Sequence, residues 1–181
     1  MYGLHCHTVM KILTYKLNIM LDSLPGIKLF DLSKKTAIVT GGSKGLGLAM
    51  AAGLASAGAN LLIVNRNEKD GFIIAEKIAK TYGVKALAFA ADISKEEQTD
   101  AMAAFAMENF GSIDILINSA GINIRGAIDE VSLEDFNKVM EVNVTGSWLC
   151  SRSVIPHMKA QKSGKIINLA STLGLVGLAN R

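Results

Sequence analysis

Cysteine, proline and aromatic residues are all scarce in this sequence, and each shortage removes a class of structure. The two cysteines, Cys6 and Cys150, are too few and too far apart for a disulfide framework or a metal knuckle. A reducing, cytoplasmic setting is the expectation that follows. His5-Cys6-His7 places possible metal ligands side by side, but nothing supplies the further ligands a closed site needs, so the run reads as an incidental tail. Aromatics make up only 6 % of the chain, so aliphatic side chains must fill any core. No apolar run reaches the roughly 20 residues of a membrane span. Near the start, Lys16, Asn18 and Asp22 break up the apolar stretch, which argues against a secretion signal. No block of Lys or Arg occurs either. The formal charge of +3 is spread along the chain, so no nucleic-acid footprint is visible.

Aliphatic residues and glycine dominate what is there. Half the residues are hydrophobic and 19 % are charged, the balance of a globular chain with the length of one domain. Residues 1–31 read as a poorly ordered extension, of which residues 1–24 lack helical or strand periodicity, are set off from the first strand by a stretch containing Pro25-Gly26, and should contribute little to the fold. From Lys34 onward, short β-branched and aliphatic runs alternate with stretches of helical period, the pattern of βαβ units and a parallel sheet.

Strands are expected over 36–40, 61–64, 86–90, 113–117 and 165–169. The helix after the first strand is Ala-rich and can end on a left-handed Gly58. The helix over 68–82 should bury Phe72, Ala75, Ile78 and Ala79 and stop at Gly83. Ser94 to Glu97 reads as a capping box for a helix burying Met102, Phe105 and Ala106. A second box, Ser132 to Asp135, should open one long helix that carries Phe136, Val139 and Met140 inward and runs through Pro156 to about Lys159. Right-handed crossovers then give an α/β fold, a Rossmann-like doubly wound parallel sheet in the order 3-2-1-4-5, with its ligand crevice between strands one and four.

The chemistry is concentrated after the first strand, in Thr40-Gly41-Gly42-Ser43-Lys44-Gly45-Leu46-Gly47. Glycines at 41, 45 and 47 permit a sharp turn and close approach to a pyrophosphate, and the helix that follows offers free amides and a positive dipole end. Asn143 is a second signal. It lies seven residues after Phe136 and three after Met140, on a helix face that should be buried, where an amide is costly unless bonded.

The T-G-x-x-x-G-x-G spacing resembles that of the short-chain dehydrogenase/reductase family, and further matches follow in order. Asp92-Ile93 stands where the family has an acidic residue that contacts adenine. Asn118-Ser119-Ala120-Gly121 resembles its N-N-A-G run, with Ser for the second Asn, and would line the nicotinamide side. Asn143 stands where an asparagine helps hold a relay water, and Ser171-Thr172-Leu173-Gly174 matches the setting of the catalytic serine. The resemblance covers residues 32–181 and implies a nicotinamide-dependent oxidoreductase acting on a small-molecule ketone or secondary alcohol. Residues 120–126, with Ile124-Arg125-Gly126, and residues 171–181 look most like gluconate 5-dehydrogenase-type members, with 3-oxoacyl carrier-protein reductases next. A homodimer or homotetramer is the family's usual assembly.

One family element has no match. The acid/base pair, a Tyr-x-x-x-Lys expected shortly after the serine, does not occur: four positions after Tyr2, Tyr15 and Tyr82 stand Cys6, Ile19 and Ala86. The family's last strands and helices are unmatched too, so the expectation is a truncated Rossmann domain that is inactive by itself, or a non-catalytic nucleotide-binding module. At the end of strand two, Asn65 occupies the place of an NAD-type acid and Arg66 follows it. With Lys44 in the phosphate turn, this favours NADP(H) over NAD(H).

Overall fold

A computed structural model describes residues 26–177. They fall into two compact units, Met1–Asp31 and Leu32–Arg181. In the first, a short 3-10 turn, Gly26–Phe30, closes with the Asp31 amide donating to Lys28 O at 3.1 Å. The opening 25 residues, including His5-Cys6-His7, lie outside the described residues, as do residues 178–181.

The second unit holds strands β1 (Thr36–Thr40), β2 (Asn60–Asn65), β3 (Ala86–Ala90), β4 (Ile115–Asn118) and β5 (Lys165–Asn168). Helices α1 (Gly45–Ser56), α2 (Glu68–Tyr82), α3 (Glu96–Phe110), α4 (Leu133–Met140) and α5 (Gly146–Gln161) connect them. All strands are parallel, in the order β3-β2-β1-β4-β5. Because side chains alternate along a strand, two cores result. Ile38, Leu62, Val64 and Leu116 pack under Met102 and Ala106 of α3 and Val154 and Met158 of α5. Ala37, Val39, Leu61, Ile63 and Ile117 pack under Ala51 and Ala55 of α1 and Ala75 and Ile78 of α2. A strand buried on both faces needs apolar residues at every position, and β1 is buried throughout.

Four local expectations are corrected. Phe72 points outward, 64 % exposed. Gly71 takes the buried line with Ala75 and Ile78, because a side chain at 71 would collide with Asn65 Oδ1. Ser94 does not cap α3: its amide and hydroxyl both donate to Asp92 Oδ1, at 3.0 and 2.8 Å. That local turn outcompetes the cap, and the helix starts at Glu96. Ser132 does cap α4, accepting from the Asp135 amide at 3.0 Å. The long helix, however, is interrupted by a π-helical turn, Glu141–Thr145, and ends at Gln161. Phe136 and Met140 are 54 % and 41 % exposed, and α4 has no buried residue. Asn143 is exposed as well.

The end of the sheet away from the C-terminal strand ends is held by Asp114. Its Oδ2 accepts from the buried Thr36 amide at 2.9 Å and the Ser112 hydroxyl at 3.0 Å, and its Oδ1 pairs with Lys35 at 2.9 Å. Its backbone joins β1 to β5, donating to Thr36 O and accepting from the Lys165 amide, each at 2.9 Å. Burial opposes the charge, but Lys35, the Thr36 amide and Ser112 outweigh it and hold the carboxyl below its ordinary range. Asp114→Ala strands the Thr36 amide and should destabilise the fold by about 2–4 kcal/mol. Asp114→Asn, which keeps an acceptor, should cost less. Since the folded carboxyl titrates below the unfolded value of about 3.9, its contribution is complete above that pH and disappears as pH falls through the folded value. Denaturant titrations from pH 7 to pH 3 should therefore show the wild type converging on Asp114→Ala in acid; a pH-independent gap would contradict this role.

Candidate functional site

At the C-terminal ends of the strands the loops after β1 and β4 are pressed together. The Thr40 hydroxyl is fully buried, accepts from the Ser119 and Ala120 amides at 3.1 Å each, and lies 3.4 Å from Ile117 O, to which it donates. The Gly41 amide donates to Val64 O at 2.7 Å, and Gly41 has φ +67°. A Cβ at 41 would sit 2.9 Å from Ala120 Cα, and one at 47 would strike Gly41 O. Only glycine fits either place. Lys44 is the N-cap of α1 but places no side-chain bond there, so the first amides of the helix keep their anion-facing dipole.

These loops wall a cleft of about 290 Å³ that runs along the switch point. Gly41, Ser43 and Lys44 border it from the loop after β1, and Arg66 from the loop after β2. Asp92 and Ile93 follow β3, and Ala120 and Gly121 follow β4. Gly45, Leu46 and Gly47 form the first turn of α1 beside it. Asn65, Asn67, Asp70, Ile122 and Val142 line it too, although none of these was singled out as a contact from the sequence. Asn67 and Asp70 could have been found: Asn67 N-caps α2 by accepting from the Asp70 amide at 3.2 Å, and that helix start faces the cleft. Burial raises the Asp92 carboxyl, but the Ser94 amide and hydroxyl, with the charges of Arg66 and Lys95, prevail and hold it below its ordinary range. It is a firm acceptor at neutral pH.

Besides Gly45, Leu46 and Gly47 in the first turn of α1, three expected residues are not among those lining the cleft. Asn118 is only 3 % exposed, and its Nδ2 faces Asn168 Oδ1 at 2.8 Å, Ser151 Oγ at 3.1 Å and Ser147 O at 3.3 Å. Its amide therefore ties β4 to β5 and α5 from beneath. Asn143 stands in the π-helical turn, which widens the helix and lets the side chain reach across to Ile122. Its Oδ1 accepts from the Ile122 amide and its Nδ2 donates to Ile122 O, both at 2.9 Å. The amide is satisfied, but by a loop and at the surface. Ser171 follows β5, and its Oγ accepts from the Leu173 amide at 3.1 Å, which leaves the hydroxyl proton free to be donated. Cys150 is fully buried and its thiol is pushed up to about 12 by burial, so it is inert as a nucleophile. Among the described residues no group of three or more His, Cys, Asp or Glu could hold a metal, and no helix is long and apolar enough to cross a membrane.

The glycine cradle, the uncapped α1 and the ionised acceptor after β3 fit a dinucleotide, and comparison with known proteins points the same way. The family model described as short chain dehydrogenase matches residues 35–181. Trans-4-hydroxycyclohexanecarboxylate dehydrogenase of Sinomonas cyclohexanicum is 35 % identical over 154 residues, 82 % of this chain and 59 % of that protein. Glucose 1-dehydrogenase 2 of Bacillus subtilis is 38 % identical over 143 residues, 78 % of this chain and 55 % of the relative. The 2-dehydro-3-deoxy-D-gluconate 5-dehydrogenase of Formosa agariphila is 34 % identical over 151 residues, covering 83 % and 57 %. The crystal structure of a short-chain type dehydrogenase/reductase from Mycobacterium marinum superposes with a TM-score of 0.81 at 34 % identity, over 84 % of this chain and 62 % of that one. The chain thus spans somewhat more than half the length of the curated relatives it matches. With the match running from the first strand to Arg181, and the sheet order and the T-G-x-x-x-G-x-G loop in agreement, the chain belongs to the short-chain dehydrogenase family.

Proposed function

We propose that this chain is the dinucleotide-binding part of an oxidoreductase that moves a hydride between NADP(H) and a ketone or secondary alcohol, with a sugar acid as the substrate class. The observation that carries the cofactor site is the Gly41–Ala120 approach: a loop so tight that a Cβ does not fit, at the N-terminus of an uncapped helix, is a cradle for a pyrophosphate. Bound there, the nicotinamide supplies the hydride or takes it up. The chain's own groups do the rest. The α1 amides and Ser43 hold phosphate, Asp92 accepts from the adenine side, and the Ala120–Gly121 backbone borders the nicotinamide end. Ser171, whose proton is free, donates to the substrate oxygen, and Asn143 fixes the loop at Ile122.

Support for the sugar-acid class comes from the relative named for 2-dehydro-3-deoxy-D-gluconate; those named for a hydroxycyclohexanecarboxylate and a hydroxybutyrate share only the carboxylate. A 3-oxoacyl carrier-protein reductase is the alternative within the family. A second reading, a nucleotide-binding module without catalysis, rests on the absence of a Tyr-x-x-x-Lys in these 181 residues. Carbonyl reduction needs a proton donor at the substrate oxygen. The purified 181-residue chain should therefore show no ketone reduction, and extension by the family's Tyr-x-x-x-Lys segment and closing strands should produce it. Turnover by the unextended chain would overturn this assignment of roles, and an extended chain that binds cofactor but turns over no 3-oxo or keto-acid substrate would favour the binding module.

For the cofactor, the reading rests on the cleft's two cations. Lys44 and Arg66 line it from neighbouring loops, and Asn65 leaves the 2′-phosphate without a carboxylate at the end of β2. A guanidinium meets phosphate with two parallel bonds. Fluorescence titration should give tighter binding of NADPH than of NADH. An Arg66→Ala, Lys44→Ala double variant should weaken NADPH by roughly tenfold or more while changing NADH little. Equal losses for both cofactors, or an initial preference for NADH, would exclude NADP(H).

A further inference from the structure

The proposal concerns Asn168, a residue on β5 that none of the roles above uses. β4 and β5 are paired in parallel with Asn118 directly opposite Asn168, so the two side chains leave the sheet on the same face. They meet: Asn118 Nδ2 donates to Asn168 Oδ1 at 2.8 Å, the shortest of its contacts. The two protons on that nitrogen face three acceptors, and the weakest, Ser147 O at 3.3 Å, already takes the Ser151 hydroxyl at 2.7 Å. Asn118 Oδ1 is buried with no partner. A 97 % buried amide so arranged depends on its shortest bond, because without Asn168 it keeps only the longer contacts to Ser151 and Ser147.

From this one amide, short links run to the Asn143 turn, the loop at Ile122 and the segment that carries Ser171. Upstream in α5, the Ser147 hydroxyl donates to Asn143 O at 2.9 Å, and the Asn143 amide clasps Ile122 on the loop that follows Asn118. Along the sheet, the Leu169 amide donates to Asn118 O at 3.0 Å, and Ser171 is two residues further on. β5 itself is otherwise poorly held: three of its four residues are exposed. Among the described residues this is the one side-chain hydrogen bond that joins the end of β5 to β4.

We infer that Asn168 is a positioning residue: by accepting from Asn118 it fixes the Ser171 segment against the Asn143 turn and the cofactor loop. It touches no reacting atom. The catalytic half of this inference rests on the oxidoreductase reading given above; the geometric half does not. Misplacement of a reacting group by about 1 Å can cost on the order of a hundredfold in rate, so the fixture matters more for turnover than for stability.

Two measurements test it. In the 181-residue chain, amide hydrogen exchange should be roughly tenfold faster at Leu169 and Ile122 in Asn168→Ala, with Ile38 and Leu62 in the core unchanged. Asn168→Asp, which keeps the accepting oxygen, should exchange like the wild type. In the extended enzyme, Asn168→Ala should lower kcat by tenfold to a hundredfold, at the order of magnitude of a misplaced group, with the cofactor KM unchanged, and Asn168→Asp should restore it. Unaltered exchange at Leu169 in the Ala variant overturns the fixture, and unaltered kcat overturns its role in positioning. If Asn168→Ala does not fold, the Asp variant decides: wild-type exchange and kcat support the accepting oxygen, and their loss overturns it. An extended wild type that never turns over, beside the expected exchange pattern, sinks the oxidoreductase reading and leaves the fixture standing.

Discussion

The Thr40 hydroxyl is the contact on which the candidate site depends. Two backbone amides from the loop after β4 converge on this one buried oxygen, and its own proton lies toward Ile117 O on β4 itself. A parallel pair of strands at a switch point diverges into loops that run to opposite faces of the sheet, which opens the crevice but leaves its walls free to separate. The hydroxyl ties those walls together. Once they are tied, Gly41 lies against Ala120 and Gly47 against Gly41, and neither position admits a side chain. The glycines are required by the threonine as much as by any ligand.

β4 is anchored by a polar side chain near each end, and the two anchors differ in kind. Asp114, before the strand, carries a charge compensated by Lys35 and by hydrogen bonds; its side chain holds the start of β1, and its backbone joins β1 to β5. Asn118, at the far end, is neutral and over-subscribed as a donor, with an oxygen that finds no partner. A charged anchor responds to acid, whereas a neutral one responds only to the loss of its neighbours. The acid-sensitive anchor therefore lies at the end of the sheet away from the cleft, and the cleft end is held by uncharged hydrogen bonds.

The sequence made the sheet legible because a strand buried on both faces leaves little freedom of reading: 36–40 and 86–90 agree residue for residue with β1 and β3, and the strand order follows from short right-handed crossovers. The phosphate loop was legible for the same reason, since few arrangements demand three glycines at that spacing. Errors arose where a side chain's fate depends on something distant in sequence. Phe72 has the right period for burial, but Asn65 from the preceding strand occupies the space a side chain at 71 would need, and the helix seats on its glycine. Ser94 has the spacing of a cap, yet Asp92 lies two residues away and binds it first. Asn143 shares the apolar face of Phe136 and Met140, but that face is itself exposed, and from the π-helical turn the amide bonds Ile122. No pattern of apolar residues announces such a turn.

The composition gave no sign of anion binding, and the structure explains why none was needed. Phosphate affinity at a site of this kind comes from backbone amides and a helix end, groups that contribute nothing to the net charge of a sequence. The two lysine and arginine side chains that do line the cleft are balanced by Asp70 and Asp92 on its rim, and Arg66 helps keep Asp92 ionised. The cleft is therefore close to neutral in formal charge, with the cations Lys44 and Arg66 interleaved with the carboxylates Asp70 and Asp92 around its rim. Such a rim offers both phosphate-binding cations and hydrogen-bond acceptors. A uniformly basic groove would attract polyanions of any shape, whereas this arrangement selects by the separation between a phosphate and a donor group.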